Sequence, residues 1–236
     1  MNLSYPIRIN KYLAIHNYST RTGADELIKK GFVSINGKRA VLGDKVNKGD
    51  EVIVSKKAPQ KEYVYYAYNK ATGISTNPDT TSKDILQVTK FPVRVFPVGR
   101  LDKDSHGLII LTNDGRVTDR LLSPRFIHEK EYVVKVEPNF SDKFITLMSN
   151  GVHFDKYVSK KCKVNRKENS KNTFHIILTE GKKRQIRRMC EALHHQVLDL
   201  KRIRIMNILL GKLPLGEFRE IKEKELNEFL KSLNLI

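Results

Sequence analysis

The apolar positions of this chain follow two spacings. In the first 57 residues they mark a compact helix-helix-hairpin unit. Ile9 and Leu13 lie one helical turn apart, and Ala24, Leu27 and Ile28 form the stripe of a second helix. Thr22, three residues ahead of Asp25, has capping-box spacing, which places the second helix's start there. Gly31 follows where a left-handed helix end is required. Residues 32–35 read as a strand and Asn36-Gly37 as a two-residue hairpin turn. Lys48-Gly49-Asp50 makes another turn before a strand over 51–54.

Beyond a polar, charged stretch at 55–62, the pattern becomes strand-rich. Strands are predicted over 63–68, 107–112, 132–136 and 173–179, and helices over 117–122, 144–148, 185–193 and 223–233. The two types do not alternate regularly, so the expected class is α+β, with a mixed, mainly antiparallel sheet and packed helices. The domain boundaries predicted are 1–57, a linker at 58–62, and 63–236.

Composition adds charge to this picture. Lys and Arg number 44 against 26 Asp and Glu, a net charge of +18, while a hydrophobic share of 39% is ample for a core. Such an excess attracts polyanions, nucleic acid first; a generally cationic soluble protein is the plainer alternative. Arg8, Lys11, Arg21, Lys29, Lys30, Lys38 and Arg39 fall mostly between the apolar positions, so they can share one exposed face. No apolar run approaches the roughly 20 residues that span a bilayer. The first twelve residues lack a signal-peptide core, so a cytoplasmic protein is expected. Cys162, Cys190 and the scattered histidines match no metal or redox spacing, and no metal or other cofactor is expected.

The densest chemistry lies in Gly99-Arg100-Leu101-Asp102-Lys103-Asp104-Ser105-His106-Gly107-Leu108, a polar loop entering an apolar strand. A carboxylate there, flanked by Arg100 and Lys103, would stay ionised and serve as nucleophile or base. Taken alone, a loop Asp beside basic residues is usually a turn or surface pair. Tyr132 shares a strand face with Val134 and Val136 and reads equally as a core aromatic. Arg184, Arg187 and Arg188 sit beside the helical stripe Ile186, Met189, Cys190 and Leu193, and a solvated basic face is the ordinary reading.

Together these segments resemble a known family. Residues 7–54, with Ile7-Arg8-Ile9-Asn10-Lys11-Tyr12-Leu13, Ser19-Thr20-Arg21 and Gly31-Phe32-Val33-Ser34-Ile35-Asn36-Gly37-Lys38, resemble the S4 RNA-binding domain. Gly-Arg-Leu-Asp-x-x-Ser-x-Gly-Leu followed by Leu111-Thr112-Asn113-Asp114-Gly115 resembles the signature of the RsuA/RluB/RluE/RluF rRNA pseudouridine synthases. The resemblance implies that Asp102 is catalytic and that Arg100 fills the space left by a flipped nucleotide. By the Lys-x-Tyr element at Lys130-Glu131-Tyr132, it implies that Tyr132 packs on the target uracil, whose lost stacking a π-face replaces. It also implies that one basic side chain of the last motif, mapped to Arg187 with Arg188 beside it, pairs with the catalytic Asp. Arg184, Arg188 and Lys130 join Arg100 as RNA contacts.

The tail, Arg204-Ile205-Met206-Asn207 and Pro214-Leu215-Gly216-Glu217-Phe218-Arg219, is similar to the RluF branch, which implies 23S rRNA as partner; a monomer is the simplest expectation for an enzyme docking on a large RNA. Ala71 departs from the relatives' usual proline in Asn69-Lys70-Ala71-Thr72-Gly73. Two other readings stay open: a noncatalytic S4-type RNA-binding or ribosome-assembly protein, and a synthase acting on 16S rRNA or tRNA.

Overall fold

A computed structural model of the chain describes residues 4–58, 62–76, 83–123 and 126–236. Residues 59–61 of the expected linker lie outside the described residues. The backbone divides into two compact units. One runs to Tyr63 and takes in Asp114–Asp119 and Leu235; the other comprises Val64–Asn113, Arg120–Asn234 and Ile236.

In the first unit, β1 (Ile7–Arg8) leads into α1 (Ile9–Ile15) and α2 (Arg21–Lys29). Then follow β2 (Val33–Ile35), β3 (Lys38–Arg39), β4 (Lys45–Val46) and β5 (Val52–Val54). Strands β3, β2 and β5 form one antiparallel sheet, while β1 pairs with β4. Ile9, Leu13, Ala24, Ile28, Val33, Ala40 and Val46 are buried together as its core. Asn36 and Gly37 both have positive φ (50° and 76°), the geometry of the predicted hairpin turn.

The start of α2 differs from expectation. Thr20, not Thr22, is the N-cap, its hydroxyl accepting from the Gly23 N–H at 3.0 Å. Asp25 lies inside the helix and accepts from Asn10 at 2.9 Å, so a tertiary hydrogen bond takes the carboxylate that spacing assigned to a capping box. Gly31 has φ 77° and ends the helix as predicted.

The second unit is built on one large sheet. Its strands are β6 (Tyr65–Lys70), β7 (Phe96–Val98), β8 (His106–Thr112), β9 (Lys130–Glu137), β10 (His153–Phe154), β11 (Tyr157–Val158), β12 (Lys163–Arg166), β13 (Thr173–Leu178), β14 (Gln196–Ile205), β15 (Ile208–Leu209) and β16 (Phe218–Glu220). Its helices are α3 (Ile85–Val88), α5 (Asp142–Asn150), α6 (Gln185–Ala192) and α7 (Glu223–Ser232), while α4 (Gly115–Leu122) is divided between the units after Asp119. The sheet order is β12-β13-β9-β14-β8-β6-β16, with β7 and β15 attached and β10-β11 separate. Among the described strands of this sheet only β8 and β14 pair in parallel, so the sheet is mixed and mainly antiparallel, and the class is α+β.

The main core buries Val134 and Val136 of β9, Phe174 and Ile176 of β13, Phe144 and Met148 of α5, and Ile186 and Met189 of α6. The apolar stripe on α6 is therefore core, as its spacing indicated. Strand β14 has no counterpart among the predicted elements. Two bulges, at Val197/Asp199 and Arg202/Arg204, interrupt its alternation, and its basic residues mask the strand pattern. Among the described residues, no helix is long and apolar enough to cross a membrane. Burial pushes the Cys162 thiol up to about 11 and the Cys190 thiol to about 12, so both are poor nucleophiles near neutral pH.

Candidate active site

Asp102 sits in the loop that feeds β8, and several backbone groups around it are tied down. The Thr76 hydroxyl donates to the Leu101 carbonyl at 2.7 Å and accepts from the Leu101 N–H at 3.1 Å. Gly73 N–H donates to the Lys103 carbonyl at 2.7 Å, and Ser105 N–H closes the turn onto the Asp102 carbonyl at 3.0 Å. Arg187 donates to the Asp104 carbonyl at 2.9 Å, and Arg202 reaches the carbonyls of Arg100 and Leu108 at 3.4 and 2.6 Å. The carboxylate itself is half-buried, and among the described residues no cation lies within ion-pairing distance of it. Lys70 and Arg184 are near enough to feel its charge. A fixed backbone carrying an uncommitted carboxylate suits a reacting group, because little reorganisation remains to be done.

Arg187 does not pair with Asp102. Its partner is Asp104, whose Oδ2 lies 3.2 Å from Arg187 Nε and 2.8 Å from Arg184 Nη2. The Nε contact is one of charge, since that N–H is not aligned for a hydrogen bond. The other donors of Arg187 go to the Val197 and Asp104 carbonyls and to Ser105 Oγ, so the guanidinium clamps the loop to β14. Burial opposes ionisation of Asp104, but the Arg184 hydrogen bond and the Arg187 charge outweigh it and hold the carboxyl below its ordinary range. This stabilisation is present above the unfolded-state pKa and is lost as pH falls through the lowered folded value. Asp104→Asn is therefore expected to destabilise the second unit at neutral pH. Because the carboxylate side chain is 43% exposed, solvent screening limits the loss to about 1 kcal/mol. Urea unfolding at pH 7 and at strongly acid pH checks this, and the gap between variant and parent should close at the acid end.

Tyr132 lies in a row across four strands. Lys70 of β6 pairs with Gly107 of β8, Gly107 with Arg202 of β14, and Arg202 with Tyr132 of β9. Paired residues share a sheet face, so two cations and the aromatic line one side, with no side chain at Gly107 between the cations. Tyr132 is 9% exposed and packs in the same core as Leu101, the residue before Asp102. Lys130 projects from the same side of β9, its Nζ 3.5 Å from the His128 carbonyl. Burial first, and the Arg202 charge second, push Lys130 down to about 8. The same two causes outweigh Asp104 and Asp102 and push Lys70 to about 8 as well.

The remaining basic positions scatter. Arg100 is exposed, and its carbonyl accepts from Arg202. Arg184 is the N-cap of α6 and pairs with Asp104. Arg188 is held by Asp155 and stacks 4.8 Å from the Phe154 ring, so no contact brings it to the Asp102 loop.

In the first unit all seven predicted cations are exposed. Arg8, Lys11 and Arg21 line a cleft of about 480 Å³ together with Lys45, Asn10 and Ser4. Arg39 instead donates to the Lys29 carbonyl at 3.1 Å and lies against Gly31, closing the end of α2. Lys29, Lys30 and Lys38 do not line the cleft. The sequence reading missed Lys45, Lys70, Thr76 and Arg202. Lys45 had an accessible signal, being one more cation in a basic segment, and Lys70 lay within the Asn69–Gly73 element shared with the relatives.

A family model described as RNA pseudouridylate synthase matches residues 46–192, and an S4 domain model matches residues 7–52. The chain belongs to the RNA pseudouridine synthase family. Among its synthase relatives, the dual-specificity RNA pseudouridine synthase RluF of Escherichia coli (strain K12) is 43% identical over 230 residues, 95% of this chain and 79% of that one. The ribosomal large subunit pseudouridine synthase B of Bacillus subtilis (strain 168) is 36% identical, covering 92% of this chain and 93% of its own. A crystal structure of a pseudouridylate synthase aligns with a TM-score of 0.70 at 26% identity, over 94% of this chain and 99% of that one.

Proposed function

We propose that this synthase isomerises uridine to pseudouridine in large-subunit (23S) rRNA, with Asp102 as the catalytic group. The observation that carries this reading is the free, half-buried Asp102 carboxylate on a loop braced from four directions. The reaction breaks the N1–C1′ bond, turns the uracil, and joins C5 to C1′; the C5 proton is lost and N1 regains one, so composition is unchanged. Asp102 serves as nucleophile or base toward the nucleotide, and Tyr132 faces the detached uracil. Arg187 acts through the loop, by its grip on Asp104 and Ser105, in place of the direct pair expected from the motif. Arg100, Lys130, Arg184 and Arg188 remain candidate RNA contacts, with Arg188 the most committed elsewhere.

Residues 1–57 act as the S4 module, 58–62 as a linker and 63–236 as the catalytic domain of a cytoplasmic monomer. Arg8 and Lys45 stand directly opposite each other on β1 and β4. Like charges in that position destabilise a ladder, and a bound phosphate relieves the repulsion. Lys11 and Arg21 complete the cleft, and Lys29, Lys30, Lys38 and Arg39 extend the positive surface. Replacing Arg8 or Lys45 by Ala is expected to lower the slope of log K against log salt by about 1 each, measured as RNA affinity over a salt series.

The large-subunit assignment is supported by the B. subtilis relative's name. Mapping pseudouridines in the RNA of cells with and without this protein tests it. A lost site in 23S rRNA supports the proposal, and an unchanged 23S map with a lost site in 16S rRNA or tRNA overturns it.

A further inference from the structure

Arg202 is 4% exposed, and among the described residues no carboxylate pairs with it. Its Nη2 is buried without a hydrogen-bond partner. Lys70, wholly buried, and Lys130 lie close enough to be lowered by its charge, so two further cations gather around Arg202. For packing alone this is a poor choice, since an unpaired buried charge opposes folding and an apolar side chain would not.

The contacts of Arg202 indicate what the charge accompanies. Nε donates to the Leu108 carbonyl at 2.6 Å, and Nη1 to the Arg100 carbonyl at 3.4 Å. Those carbonyls lie on either side of Asp102, one before the turn and one after it, so a single rigid fork spans the loop. The backbone of Arg202 is pressed against Gly107, whose missing side chain permits the approach.

Resting on the functional reading above, we propose that Arg202 is a positioning residue for Asp102, holding both ends of its loop so that the carboxylate meets the nucleotide in one orientation. It touches no reacting atom. A lysine would keep the charge but could not bridge two carbonyls 8 residues apart in the same planar geometry.

The test uses the full chain, as Arg202→Lys and Arg202→Met, and RNA carrying tritium at uridine C5, which pseudouridine formation releases. Folding of each variant is checked by its thermal midpoint. In a folded variant kcat should fall about 100-fold while KM stays within about threefold, because the loop's aim is lost and RNA docking is not. In an Asp102→Asn background, Arg202→Lys should add no further loss, since the residue works through Asp102. A folded Arg202→Lys with kcat within about twofold of the parent overturns the inference, as does a rise in KM at constant kcat. If both variants fail to fold, the parent chain still decides. Its Arg202 Nε–H should exchange slowly with solvent by nitrogen-detected resonance, and exchange at the rate of an exposed guanidinium overturns the grip. Tritium release by the parent with none lost in Arg202→Lys overturns this inference alone; a parent that releases no tritium from any RNA overturns the functional reading and this inference with it.

Discussion

Asp102→Asn is expected to abolish pseudouridine formation while leaving the fold and RNA affinity close to those of the parent chain. The substitution keeps the side chain's size and removes its charge. Because the carboxylate makes no ion pair among the described residues, the fold loses little when it is neutralised. The chemistry has no substitute, since Asp104 is occupied by Arg184 and Arg187 and points its charge elsewhere. Removal of an essential nucleophile or base lowers kcat by roughly 10⁴-fold or more. Tritium release, RNA affinity and thermal midpoint, measured side by side, check the three parts. A variant that retains turnover sinks the assignment of Asp102, and a noncatalytic RNA-binding role predicts no difference because the parent would release nothing.

Gly107→Ala should be the most damaging single methyl group in the second unit. Its φ is +105°, and a Cβ there would stand 2.2 Å from the Arg202 carbonyl oxygen and 2.8 Å from the Arg202 nitrogen. Both neighbours are backbone atoms of a central strand, so neither can swing aside. Strands β8 and β14 must separate, and the loss is expected to reach about 4 kcal/mol or more. Gly73→Ala is the control: its φ is +86°, yet no atom lies within 4 Å of the added carbon. Strain alone there should cost about 1–2 kcal/mol. Urea unfolding of the two variants, followed by a probe in the second unit, compares them. Equal losses would show that close approach to Arg202 is not what position 107 demands.

The legible parts of this protein were those encoded by local pattern. The Asn36-Gly37 hairpin, the left-handed Gly31 and the stripe Ile186, Met189 and Cys190 each depend on a few neighbouring residues, and each is present. Motif resemblance likewise pointed to the Asp102 loop. The α2 cap was misplaced because Asp25 is used by Asn10, a partner distant in sequence. Strand β14 was missed because its two bulges shift residues between faces. The Asp104 pair was missed for a geometric reason: Asp102 and Asp104 are both within reach of a basic helix start in sequence terms, and only the turn between them decides which one meets Arg187. Arg202 could not be recognised at all, because its role depends on a parallel pairing with a strand about 95 residues earlier.

Strands β8 and β9 are both neighbours of β14 and not of each other. During synthesis, the ribosome therefore releases Asp102 long before the strand that joins the two halves of its sheet. The buried apolar cluster of the first unit comes from residues 9–46 and can settle early. A nascent chain would thus acquire its grip on RNA first and its chemistry last, after Ile205 has emerged.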